Sequence, residues 1–280
     1  MLKSERQSEI VKEVVRQGTV SVAELAARLG VSEITIRRDL DELGRLGHLQ
    51  RVRGGARRQM PRVPEPPVVQ RQLAQAKEKR TIGLAAVELI RDGDVVALDA
   101  SSTVLELARV IATLPWHNLQ VVTNSLIIAH ELAGTPGVRL VLIGGSINYE
   151  EMAVFGTMAE EMLRQINVDK LFLGCRGIDP RTGLSNDLQA EVLIGTERAL
   201  VAASRQVVVL ADHTKFGQVF LLQSVPVADV DIIVTDSLTP EDLLQEFRRQ
   251  DIQVIVAPLG DGADPHSSES VAKIVWAGRK

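Results

Sequence analysis

Apolar residues recur at helical spacing along the first 45 positions, and three times the run opens on a serine and closes near a glycine. Ile10, Val11, Val14 and Val15 form the first stripe, with Ser4 and Gln7 at capping-box spacing before it and Gly18 after it. Ser21 and Glu24 repeat the box, Val20 and Leu25 stand as a hydrophobic staple, and Val22, Leu25, Ala26 and Leu29 face inward up to Gly30. Ser32 caps a third helix that shares Ile36, Leu40 and Leu43 on one side, has Val31 and Ile36 as staple and ends at Gly47. That orientation turns Ile34, Arg38, Asp41 and Arg45 outward, with Thr35 and Arg37 on the flanks. The period then drops to two: "HLQRV" and "GGARR" read as short strands that turn at Arg53, Gly54 and Gly55. Three helices, a tight second turn and a strand pair make a winged helix-turn-helix over residues 1–58.

Residues 59–67, "QMPRVPEPP", hold four of the chain's eleven prolines and can continue neither a helix nor a central strand. A semi-rigid linker and the start of a connecting helix are expected over 59–76, the helix running through "VVQRQLAQAKEKRTIGLAAVELIRDGD" to Asp92 and Gly93. Beyond it, over 77–260, short β-branched runs alternate with helical segments: "DVVALDA", "LQVVTNS", "VRLVLIGG", "VDKLFLGCRGI", "RQVVVLAD", "VDIIVTD" and "IQVIVAP". Several are too apolar to alternate, so the expected fold is α/β, with a mainly parallel sheet covered on both faces. Residues 261–280 form a tail to which the pattern assigns nothing.

Charge divides along the same boundary. Residues 1–58 carry twelve Lys and Arg against eight Asp and Glu, while the rest carries twenty against twenty-eight, within a formal net charge of -4. A basic head on an acidic body points to a polyanion partner for the head alone. Seven arginines fall within residues 32–58. A helix-turn-helix meets base edges with the N-terminal residues of its second helix, which places contacts at Ser32, Thr35, Arg37 and Arg38. Arg51 and Arg53 can grip a phosphate or a guanine edge, and Gly54 and Gly55 let the wing's backbone approach a phosphate or the minor groove closely. The lone Cys175 excludes an intrachain disulfide and reads as a small buried hydrophobe. No apolar run reaches the ~18 residues of a membrane helix and no signal-peptide core stands at the start, so a cytoplasmic protein is expected.

In parallel sheets ligands gather beyond the carboxyl ends of the strands. The first strand leads into "DASST", Asp99 to Thr103, where Ser101, Ser102, Thr103 and free N–H groups at a helix start suit a phosphate. The same residues also cap helices without any ligand. "TNS" with Asn124, the pair Gly144 and Gly145, "GCRGID" with Gly177, and "ADHTKFG" with Asp212 and Lys215 close the next strands. Together they offer donors for an anion and acceptors for hydroxyls, the chemistry of a phosphorylated sugar. No metal-ligand spacing competes, and no cofactor is expected. His213 reads as a local hydrogen-bonding residue, and Glu191 as a pocket, interface or structural acid.

The head "SVAELAARLGVSEITIRRDLDELGRLGHLQRVRGGA" resembles the N-terminal domain of the DeoR family of bacterial transcriptional regulators, above all in "TIRRDL" followed by "RVRGGA". "DASST", "VVTNS", "DKLFLGCRGID" and "DHTKFG" resemble that family's effector-binding domain, whose fold is similar to ribose-5-phosphate isomerase. The resemblance implies double-stranded operator DNA as partner and a phosphorylated sugar or related metabolite as effector. It further implies that Asp99, Asn124, Gly177, Asp212 and Lys215 surround that effector, and that the effector releases DNA. The family's Gly-Leu-Thr segment is replaced here by "GLSNDLQAE", so the threonine's role does not transfer to Ser185.

The function expected is therefore a ligand-controlled repressor of a sugar-metabolism operon, working as a homodimer or homotetramer to match operator symmetry. The proline linker and the helix after it are the expected path between ligand and DNA. A sugar-phosphate isomerase with a DNA-binding head is the alternative from another class, with Asp99, Asp212 or Glu191 as base. Dinucleotide and P-loop binding lack their glycine motifs.

Overall fold

The computed structural model describes residues 3–45, 49–57, 65–187 and 190–259. Gly47, the linker up to Pro64 and the tail lie outside those residues, as do the side chains of Ser4, Val15 and Arg45. The chain divides into two units, Met1–Val63 and Pro64–Lys280.

The first unit contains α1 (Lys3–Gln17), β1 (Thr19–Ser21), α2 (Val22–Leu29), α3 (Glu33–Arg45), β2 (Gln50–Val52) and β3 (Gly55–Arg57). Ser21 and Glu24 close the capping box in both directions, and Gly30 takes the left-handed conformation (φ 66°) that ends α2. Ile10, Val14, Val20, Leu25, Ile36, Leu40, Leu43 and Leu49 form one buried cluster. Arg6 crosses from α1 to α3, its Nε donating to Asp39 Oδ2 at 2.6 Å and its Nη2 to Oδ1 at 3.3 Å. The wing has three strands in the order β1-β3-β2, not two, because Thr19–Ser21 pairs antiparallel with β3.

The second unit begins earlier than its composition suggests. α4 (Val68–Arg71) and α5 (Ala76–Val87) replace the single connecting helix that was expected. Gln75 sits in the left-handed region (φ 53°) at the break, and buried Lys79 donates its Nζ to the carbonyls of Arg71 (2.5 Å) and Ala74 (2.7 Å). The Arg71 carbonyl also accepts from the Ala74 amide at 3.2 Å, so Lys79 reinforces the turn that ends α4. Burial, with help from the nearby charges of Lys215 and Arg71, depresses the Lys79 pKa to about 8 against the pull of Asp212.

Then follow β4 (Val95–Leu98), α6 (Ser102–Thr113), β5 (Leu119–Thr123), α7 (Leu126–Leu132), β6 (Val138–Leu142), β7 (Ser146–Asn148), β8 (Ala153–Phe155) and α8 (Thr157–Leu163). The chain continues through β9 (Lys170–Leu173), β10 (Gly177–Asp179), β11 (Gly183–Asn186), α9 (Glu191–Ala203), β12 (Val207–Leu210), β13 (Leu222–Val225), β14 (Ile232–Asp236), α10 (Glu241–Arg248) and β15 (Gln253–Ala257). All seven sequence-predicted strands enter one parallel sheet, in the order β15-β14-β12-β9-β4-β5-β6. On one face Val96, Leu98, Val121, Phe172, Val208 and Val234 pack against Ile82, Leu107, Ile111 and Ile128 of the helices. The alternate residues Ala97, Leu171, Leu173, Val209 and Ile233 are buried as well, so both faces of the inner strands are covered, while the edge strands β6 and β15 stay partly exposed. Gly83 is required where α5 meets α6, since a Cβ there would lie 2.8 Å from the Glu106 carbonyl carbon. "VDKLFLGCRGI" is not one strand: it breaks at Gly174–Arg176, and β10 joins β11 and β13 in a separate antiparallel sheet.

From β4 the chain builds outward through β5 and β6 on one side, then returns to place β9, β12, β14 and β15 on the other. The crevice beyond the carboxyl ends of β4 and β9 is thus the sheet's switch point, where open α/β sheets hold their ligands.

Candidate functional site

On α3 the inward residues leave Ile34, Arg37 and Arg38 exposed. The Ser32 hydroxyl accepts from the Thr35 amide (3.2 Å) and shares a bond with the Thr35 hydroxyl (2.9 Å), so both are engaged in starting the helix. Arg37 pairs with Glu33 one turn back at 3.2 Å, both half exposed. Arg38 and Arg53 are exposed and, among the described residues, have no partner. Arg51 is committed to the wing: its Nε donates to Asp41 at 2.7 Å and its Nη1 to the Gly55 carbonyl. Gly54 turns the wing at φ 84° and is exposed. Gly55 is buried, and a Cβ there would lie 2.0 Å from the Val20 carbonyl oxygen. Its glycine thus serves the β1–β3 pairing, in place of the open backbone approach expected from the sequence.

At the switch point a cleft of about 800 Å³, counted out to its mouth, gathers side chains from several elements. Asp99 follows β4, and Ser101 caps α6 by accepting from the Thr103 amide at 3.2 Å. Gly174, after β9, packs so closely that a Cβ would lie 2.0 Å from the Ser101 hydroxyl. Ser102 and Thr103 also line the cleft. Lys215 reaches it from the turn after β12; Asp212 starts that turn by accepting from the Thr214 amide at 3.0 Å. Arg71 of α4 and Arg176 complete the cationic set. Arg71 grips Glu151 through both guanidinium arms, at 2.8 and 2.6 Å, while Arg176 pairs with Asp187 and lies 4.2 Å from the centre of the Phe220 ring.

Carboxyl groups outnumber the cations. Burial, then the charge of Glu151, raises the Asp99 pKa well above its ordinary range, against backbone N–H groups of Ala100 and Gly174 and the charge of Arg71. Burial and the charge of Asp99 raise that of Glu197 too, although Asn186 donates to it at 3.2 and 3.3 Å. Both groups therefore favour protonation and can donate as well as accept hydrogen bonds. Cys175 lines the cleft half-buried, its thiol pushed far above the usual range by burial, which leaves it an inert surface.

Of the effector residues expected from the sequence, Asp99, Ser101, Ser102, Thr103 and Lys215 line this cleft, whereas Asn124, Gly144, Gly145, Gly177 and Asp212 do not. Asn124 is buried beneath β8, donating to the Val154 carbonyl at 3.4 Å. Gly145 and Gly177 are tight packing positions, with Cβ approaches of 2.9 Å to Val154 and 2.6 Å to the Gln218 carbonyl oxygen. Gly144 lies exposed beside Met162. Asp212 acts through the turn it caps. Glu191 is exposed at the start of α9, Ser185 accepts from the Phe220 amide at 3.0 Å, and His213 Nδ1 lies 3.1 Å from Asp236 Oδ1. Arg71, Glu65, Glu151 and Glu197 were missed because no strand end carries them.

A DeoR-like helix-turn-helix domain model matches residues 6–62, and a DeoR C-terminal sensor domain model matches residues 74–237. The chain belongs to the DeoR family of transcriptional regulators. It is 35% identical to the uncharacterized HTH-type transcriptional regulator YgbI of Escherichia coli K12, covering 92% of this chain and 99% of that one. A putative aga operon transcriptional repressor of Escherichia coli O157:H7 is 32% identical over 90% of this chain and 93% of its own. The glycerol-3-phosphate regulon repressor of Escherichia coli K12 is 32% identical over 91% and 99%. Among solved structures, ribose 5-phosphate isomerase A of Methanocaldococcus jannaschii overlaps 49% of this chain and 53% of that one, with 19% identity and a TM-score of 0.36. An overlap of that extent leaves the architecture to be read from the strand order itself. This DeoR-family chain thus pairs a DNA-binding head with a sensor body. Among the described residues no helix is long and apolar enough to cross a membrane, and no group of three or more His, Cys, Asp and Glu is placed to hold a metal ion.

Proposed function

We propose that this DeoR-family regulator represses a sugar-metabolism operon and that a phosphorylated sugar bound at the switch-point cleft releases it from DNA. The observation that carries the ligand class is the convergence of Lys215, Arg71 and the start of α6 on one cleft that is otherwise rimmed by carboxyl groups. Cations and helix-start N–H groups suit a phosphate, and the carboxyl groups suit sugar hydroxyls. A relative named for a glycerol-3-phosphate regulon supports the same class. On the DNA side, Arg38 and Arg53, exposed and without a partner among the described residues, are open to bases and phosphates, with Ser32, Thr35, Arg37 and Gly54 in the same two segments. Operator symmetry makes an even-numbered homo-oligomer in the cytoplasm the working form.

The cleft binds its ligand without converting it: repression requires a change of affinity only, and the family's members are regulators. The raised Asp99 and Glu197 are the groups a proton-transfer enzyme would also own, so turnover is tested in the same experiment. Thermal unfolding of the full chain is measured against sugar phosphates and their parent sugars. A ligand at about 100 times its Kd adds roughly 2.7 kcal/mol. The expected result is a shift from one phosphorylated compound, none from its parent, no product by mass spectrometry, and loss of the shift in Lys215→Ala with operator binding retained. Loss of operator binding in a folded Lys215→Ala protein would refute the assignment.

A further inference from the structure

Arg71 and Lys215 share a neighbour that no strand end predicts. Glu65 Oε2 lies 3.6 Å from Arg71 Nη1, and Glu65 Oε1 lies 3.9 Å from Lys215 Nζ. Both separations fall within ion-pair range and beyond hydrogen-bond length, so Glu65 spans the two cations by charge alone. The contrast with Glu151, gripped by Arg71 at 2.8 and 2.6 Å, is direct. Among the described residues the Lys215 ammonium makes no hydrogen bond at all. Glu65 leads into a stretch held down by the Val68 amide on the Glu150 carbonyl (2.9 Å), and it stands inside the proline run that continues toward the DNA-binding head.

We propose that Glu65 is a built-in competitor for the effector's anion: its carboxylate holds the place beside Arg71 and Lys215 until a phosphate group takes it. The idea rests on reading the cleft as a phosphate-ester site. A phosphate monoester carries about 1.5 to 2 negative charges and bonds directly to an ammonium at about 2.8 Å, which a carboxylate at 3.6–3.9 Å does not match. Once the phosphate is seated, a carboxylate cannot stay beside it without strong like-charge repulsion. Glu65 must leave the cleft, and its movement pulls on the adjoining Pro66 carbonyl, which Arg71 Nη1 holds at 3.1 Å. Ligand binding is thereby linked to the position of the first residues of the body, which is the differential contact an allosteric coupling needs.

Inorganic phosphate is the probe, titrated calorimetrically into the full-length protein and into Glu65→Gln, Glu65→Asp and Glu150→Gln. Glu150 lines the same cleft but, among the described residues, pairs with neither cation, so its variant reports a bare change of charge. Glu65→Gln is expected to bind phosphate about tenfold tighter or more, Glu65→Asp to fall between, and Glu150→Gln to change by less than about threefold. Amide exchange at Val68 is expected to speed up with phosphate in the parent, and to be fast already in Glu65→Gln. Equal phosphate affinity in parent and Glu65→Gln, or an equal gain in Glu150→Gln, overturns the competitor while leaving the phosphate site standing. Phosphate binding in none of the four proteins overturns the site and the competitor together.

Discussion

Gly174→Ala tests whether the start of α6 is fixed by its fit against the end of β9. A Cβ built on Gly174 falls 2.0 Å from the Ser101 hydroxyl oxygen and 2.3 Å from its Cβ, so the serine must move. Ser101 is not the free end of a flexible side chain; it caps α6 and its carbonyl accepts from the Leu105 amide. Overpacking costs about 1–3 kcal/mol and loss of the cap about 1 kcal/mol, which together make about 2–4 kcal/mol. Ser101→Gly removes both clashing atoms and by itself costs only a few tenths of a kcal/mol, since glycine caps nearly as well as serine. The double variant should therefore be more stable than Gly174→Ala alone and close to Ser101→Gly. Urea unfolding of the full chain, followed by circular dichroism with the slope held common, reads all four corners of the cycle. A Gly174→Ala protein within about 0.5 kcal/mol of the parent, or a double variant that is simply additive, would refute the reasoning.

Two further outcomes follow from the two units separately. Arg38→Ala should relax operator sequence preference at a cost of about 1–3 kcal/mol, whereas Arg53→Ala should reduce the salt slope of binding by about one without altering preference; filter or fluorescence titrations at several salt concentrations separate them. Asp99 and Glu197 keep protons in the folded body at pH values where the unfolded chain has lost them, so their contribution is full below the ordinary carboxylate range and is lost as pH rises toward and past neutrality. Melting temperature should accordingly fall across that window, and Glu197→Gln should flatten the profile; an unchanged profile in the variant would remove Glu197 from the account.

The parallel sheet was legible because its five inner strands are buried on both faces and read as unbroken β-branched runs, and the partly exposed edge strands β6 and β15 keep the same composition. The capping box at Ser21 and Glu24 was legible because its chemistry is local. What escaped was decided by distant partners. β1 is three residues long and overlaps the cap of α2, so it exists as a strand only through β3. The break between α4 and α5 depends on a non-glycine residue in the left-handed region and on a lysine eight positions from one of the carbonyls it caps. β10, β11 and β13 are three to four residues each, too short for a period to show.

The cleft shows the same division, and its charge explains why. A search of strand ends for small polar residues and unpaired cations finds Asp99, Ser101–Thr103 and Lys215, which do line it. Yet a cation taken out of water needs a partner nearby, so Arg71 and Arg176 come with Glu151 and Asp187, and those partners arrive from a hairpin loop and the segment before α9. The carboxylates that keep the cations oriented also surround any anion that binds them; burial first, then the charge of Glu151 on Asp99 and of Asp99 on Glu197, presses Asp99 and Glu197 toward their neutral forms. Affinity for a phosphate in such a cleft comes from exchange, one negative group for another, more than from a surplus of positive charge. That is why the residue with the loosest hold on both cations, Glu65, is the one whose replacement should matter most; the proline pattern of residues 59–67 marks a semi-rigid linker on the path between ligand and DNA but carries no sign that its glutamate reaches the cleft.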